Sequence, residues 1–122
     1  MTEYYRVKNF KVDQFDVFVD WTYEHCSVRD VFDETEEEYA EMERRLNADL
    51  DTHYIARVRA MYDGVELGCA TLGSCYARDC SPEDDINDGI GGYLEQMVEE
   101  AVDDAREEAV AMLQRLKEDF LQ

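Results

Sequence analysis

From Phe15 to Glu24 the side chains fall into two interleaved sets, Phe15, Val17, Val19, Trp21 and Tyr23 against Asp16, Phe18, Asp20, Thr22 and Glu24. A period of two sends the sets to opposite faces, so the pattern predicts a strand with one buried face. Tyr4 to Val12 is aromatic and β-branched enough to be its hairpin partner, with a turn near Asp13-Gln14. A second hairpin is predicted from His53 to Tyr62 and Val65 to Tyr76. Its turn is Asp63-Gly64, a dipeptide that tolerates the positive φ angles of a two-residue connection. Tyr54, Ala56, Val58, Ala60 and Tyr62 are expected on its core side.

Elsewhere the period lengthens. Asp33 to Leu50 reads as a helix, because Thr35 and Glu38 form a capping box and Tyr39, Met42 and Leu46 share a stripe. Tyr93 to about Phe120 reads as a longer helix whose stripe runs Leu94, Met97, Val98, Ala101, Ala105, Ala109, Met112, Leu116 and Phe120. Between the second hairpin and this helix, Ala77 to Gly92 is polar, carries Pro82 and closes on Gly89, Gly91 and Gly92, which predicts a loop. The order is ββαββα. It predicts one α+β domain over residues 1–122, a four-stranded antiparallel sheet from two hairpins with one or both helices on one face. Phe15, Val17, Trp21, Val58, Met97 and Leu116 are the expected core.

Composition supports folding, since 45% of residues are hydrophobic and 11% aromatic, enough to fill a core at this length. Charge changes the picture more. Against 31 Asp and Glu stand 12 Lys and Arg, a formal charge of −19. Such a field repels nucleic acid and anionic membranes and attracts basic surfaces. No apolar run approaches the roughly 20 residues of a membrane span. The start, Met1-Thr2-Glu3-Tyr4-Tyr5-Arg6, lacks the apolar segment of a signal peptide. A cytoplasmic protein with no direct nucleic-acid or membrane contact is expected, its Cys26, Cys69, Cys75 and Cys80 reduced.

The charge is unevenly placed. Residues 1–30 hold six acids and four bases and residues 52–80 three of each, while residues 31–51 hold nine acids against two bases and residues 81–122 thirteen against three. Within the long helix the acids form two ladders at four-residue steps, Glu95, Glu99, Asp103, Glu107 and Glu100, Asp104, Glu108. Like charges four apart on a helix repel, so the five such pairs give up roughly 1 to 2 kcal/mol that mixed charges would recover. Four residues advance about 6 Å along a helix, a spacing of the order of successive phosphates on a nucleic-acid strand. The ladders therefore have the form of a polyanion. A solvated helix face is the plainer reading, and salt adaptation a third, although adaptation would spread charge evenly.

Catalytic and metal readings find less support. His25 and His53 are the only groups that titrate near neutrality, and neither lies in a nucleophile motif. His25 and Cys26 are adjacent, so on a strand they would face opposite ways. Cys69, Cys75 and Cys80 are spaced too widely for a zinc knuckle. Asp84 to Glu95 has an EF-hand's Asp84, Asp88, Gly89 and Glu95 but Ile86 at its third position, and its acids would also repel phosphate from the helix start. No catalytic centre, metal or cofactor is expected.

In charge patterning the chain resembles small, very acidic single-domain proteins of phages and mobile elements that disarm host defence, including DNA-mimicking inhibitors of restriction enzymes and CRISPR complexes. Glu34 to Glu43 and the ladders from Glu95 to Glu108 carry the resemblance, about a fifth of the chain. It implies a role, occlusion of a nucleic-acid-binding surface on a basic protein or complex, and no particular fold. The expected contact residues are Glu36, Glu37, Glu41, Glu95, Glu99, Glu100, Asp103, Asp104, Glu107 and Glu108. The alternative is an acidic adaptor or assembly module that binds a protein through an apolar or sheet-edge surface. A homodimer through the apolar end from Met112 to Leu121 stays open.

Overall fold

The computed structural model describes residues 2–121. Its elements are β1 (Tyr5–Val12), β2 (Phe15–Tyr23), α1 (Val28–Val31), α2 (Glu36–Asn47), β3 (Asp51–Tyr62), β4 (Val65–Arg78), α3 (Pro82–Asn87), a 3₁₀ turn at Ile90–Gly92 and α4 (Tyr93–Phe120). The four strands form one antiparallel sheet in the order β1-β2-β3-β4. The α+β class and the antiparallel four-stranded sheet match the sequence reading. The described residues contain four α-helices where two were expected.

Alternation in β2 does what its period requires up to Trp21, while Tyr23 at the strand's end is exposed. Val17, Val19 and Trp21 pair with Ala60, Val58 and Ala56 of β3, and all six are buried. Against this side lie Ile86 of α3, Ile90, and Leu94, Met97, Ala101, Val102 and Ala105 of α4, completing the core. Both two-residue turns lie where the sequence placed them, with Asp13, Asp63 and Gly64 at positive φ.

Several boundaries differ from expectation, among them the end of the first helix at Asn47 and the start of β3 at Asp51. The first helix starts at Glu36, because Thr35 is the extended cap whose side chain accepts from Glu38 N–H; Phe32 to Glu34 form a link after the short α1. The stretch read as a loop is half structured. β4 continues to Arg78, and Ser81 caps α3 with Pro82 in its first turn. A capping serine followed by proline is a helix-start signal that the surrounding acids and glycines obscured. Two residues expected inside are outside: Tyr62 is 54% exposed beside its turn, and Leu116 is 50% exposed because α4 outruns the sheet it packs on.

The other face of the sheet is covered in a different way. At the start of β3, α1 and α2 lie over it: Phe32 contacts His53 and Tyr76, and Arg45 binds Asp51. His53 and Tyr76 alternate along their strands with Tyr54 and Cys75, which are in the core. So α2 and α4 sit on opposite faces. Farther along this second face Asp20, 2% exposed, takes a two-bond grip from Arg57 and a third bond from Arg59. Tyr4 stacks on Arg57 and Phe18 on Arg6, so guanidinium and aromatic planes do there what a helix does elsewhere.

Candidate functional site

How α4 is seated decides which of its acids are free. Gly89, Ile90, Gly91 and Gly92 all have positive φ, a run that turns the chain sharply from α3 into α4 and that glycine at 89 and 92 makes inexpensive. From there α4 crosses β4 and β3 on small side chains. Gly68 of β4 lies so close that a Cβ there would stand 1.9 Å from the carbonyl oxygen of Ala101. With Ala101 and Ala105 fully buried at that crossing, every acid in the first half of the helix is turned away from the sheet.

Glu95, Glu99, Glu100, Asp103, Asp104 and Glu107 are exposed and Glu108 is half-buried. At 3.6 residues per turn a four-residue step drifts about 40° around the axis. The ladders are therefore not straight rows but wind across the whole solvent side of α4. Arg106 pairs with Asp103 and with Asp13 of the first turn, and Arg115 pairs with Glu108. The other five, Glu95, Glu99, Glu100, Asp104 and Glu107, make no ion pair among the described residues.

The structure adds neighbours that reading 77–92 as a loop concealed. Asp88, at the end of α3, lines a groove together with Glu95, Val98 and Glu99, and Asp84 lies one turn earlier on α3. Both are exposed. Two other acids of α3 serve the fold instead: Glu83 accepts the Trp21 indole N–H and Asp85 accepts the Tyr54 hydroxyl. The Ser81 cap at 81 was the available signal, since a helix from 82 puts 84 and 88 on one face.

Glu36, Glu37 and Glu41 do not join this surface. They lie on α2, across the sheet, and two of them are occupied: Arg29 bridges Glu36 and Glu43, and Arg44 holds Glu41. Arg29 keeps the Glu36 and Glu43 carboxyls below their ordinary pKa by hydrogen bond and charge. Glu37 is exposed and makes no ion pair among the described residues. At the helix entrance Glu34 is raised instead, by a hydrogen bond shared with Glu38 and by its charge. The expected single site is thus two acidic areas facing opposite ways, of which only that of α3 and α4 is a continuous helical surface.

A cavity of ≈ 370 Å³ opens between α1, α2 and the sheet, lined among others by Glu24, Cys26, Glu43, Asp51 and His53. It brings a thiol and an imidazole together across a long sequence separation. Their states oppose nucleophilic use: a hydrogen bond and charge from Glu24 raise the Cys26 thiol, and burial lowers the His53 imidazole against the pull of Glu24. Burial also pushes the Cys75 thiol up to about 11. All four cysteines are free. Among the described residues no group of three or more His, Cys, Asp or Glu is arranged to hold a metal, and no helix is long and apolar enough to cross a membrane.

No protein-family model matches the chain, nor does any curated protein or solved structure.

Proposed function

We propose that the chain is a non-enzymatic inhibitor that occludes the nucleic-acid groove of a basic protein or complex with the acidic side of α3 and α4, in an anti-CRISPR or anti-restriction role. One observation carries this reading. Five ladder acids of α4 stand exposed with no ion pair among the described residues, continued by Asp88 at the helix start, while most of the chain's own arginines are engaged on the opposite face. A groove lined with Lys and Arg for phosphates meets in them carboxylates at comparable intervals, and releases counterions on binding.

Binding to the basic partner should therefore weaken steeply as NaCl rises. Replacing Glu99, Asp103 and Glu107 by Gln, Asn and Gln should weaken it roughly tenfold or more, with circular dichroism unchanged. Equal affinity for the triple variant refutes the ladder as the contact. Affinity that hardly moves with salt assigns the chain to the adaptor class instead.

A further inference from the structure

The second half of α4 contributes no side chain to the buried core described above. From Arg106 to Phe120 the helix runs roughly 22 Å, and none of its residues is buried. Yet it keeps the apolar stripe of the packed half: Ala109, Met112, Leu116 and Phe120 follow at steps of three and four, with Val110 and Leu113 beside them. Leu113, Leu116 and Phe120 are 54%, 50% and 76% exposed. Helices in proteins draw most of their stability from packing such an apolar face.

We infer that this stripe pairs with the same stripe of a second copy, as an antiparallel helix pair. Charge selects the occupant. Residues 109–122 carry Arg115 and Lys117 against Glu118 and Asp119, a net charge of zero in a chain of −19. It is therefore a surface on which two copies approach without the repulsion that the rest of the molecule imposes. Direction follows from the same distribution. A parallel pair would set the two ladders from Glu95 to Glu108 side by side, whereas an antiparallel pair sends them to opposite ends of a two-fold dimer. The exposed apolar area of the two stripes is on the order of 1,000 Å², and with flanking residues it reaches the lower range of specific interfaces.

Sedimentation of the full chain at about 10 μM tests this. The expected result is an elongated dimer that tightens as salt screens the net repulsion, opposite to the trend expected for the basic partner. Leu113→Glu with Leu116→Glu should give a monomer of unchanged circular dichroism, and Phe120→Glu should weaken the dimer at least tenfold. A wild-type monomer at that concentration, a dimer that survives the double variant, or one that salt dissociates would overturn the proposal. A monomer that binds neutral lipid vesicles through the stripe would overturn it too. The ladder variants leave this dimer intact, so its outcome is separate from that of the inhibitor reading.

Discussion

Helices α2 and α4 are both rich in acids and lie on opposite faces of one sheet, but they are held by different forces. No residue of α2 is buried. It is fixed by Arg45, whose guanidinium grips Asp51 at 2.9 and 3.1 Å and also reaches Asp79, and by Tyr39, whose hydroxyl donates to the Phe32 carbonyl. Helix α4 is fixed chiefly by Leu94, Met97, Ala101, Val102 and Ala105, with one exposed ion pair from Arg106 to Asp13. Where charge does the docking it is spent on the fold; where small apolar side chains do it, the charge is left over. The surplus on α4 is what supports its proposed role as the surface for a basic partner.

The most severe test of this contrast is Gly68→Val. Its branched side chain has no space against the backbone of Ala101 and Ala105, so α4 must lift from the sheet and open the core. A loss above about 4 kcal/mol is expected in urea titration, a large part of a domain's typical stability.

On the other face Asp51→Ala should cost about 3 kcal/mol, because it takes two hydrogen bonds from Arg45 and leaves the Tyr76 hydroxyl and the Asp79 N–H without an acceptor in a part-buried site. Hydrogen exchange should quicken in α2 while α4 stays protected. Equal exchange in both helices would erase the contrast.

Acid should do the same reversibly. Burial raises the Asp51 carboxyl, but hydrogen bonds from Arg45, Tyr76 and the Asp79 N–H outweigh it and hold the group below its ordinary pKa. A depressed carboxylate stabilises fully above its unfolded value of about 3.9 and loses that contribution as pH falls through the folded value. His53, lowered by burial, stabilises fully above about 6.5 and loses its contribution as pH falls from there. Acid titration followed by exchange should show α2 loosening first with a His53 phase, which His53→Gln removes, and then with an Asp51 phase, while α4 holds.

The smallest effect is expected from Glu36→Gln with Glu41→Gln. These carboxylates serve Arg29 and Arg44 on the exposed surface, so the unfolding midpoint should barely move and partner affinity should not change. A loss matching that of the α4 triple variant would mean both faces contact the partner.

The strands were legible because alternation is a local signal. Phe15, Val17, Trp21 and Val58 occupy the buried side that the period assigns them. The Asp63-Gly64 turn was legible because few dipeptides accept two positive φ angles. α3 was hidden by its own composition, glycine and acids reading as loop although Ser81 and Pro82 mark its start. Leu116 was misplaced because a stripe shows that a helix has an apolar side, not how far its support extends. In the acidic surface, the ladder residues were readable from spacing and the contribution of Asp88 was not, since it depends on where one helix meets the next.

What the residues determined alone was periodicity and charge: which side chains share a face, where the chain turns, and that α4 carries more acid than its helix benefits from. Only the folded chain decided which acids were spoken for. Arg29 reaches Glu36 and Glu43, Arg45 reaches Asp51, and Gly68 lets α4 settle against the sheet with its acids outward. Charge pairing depends on distances of a few ångströms between residues far apart in sequence, and those distances exist only once the sheet has set the two helices on its two faces.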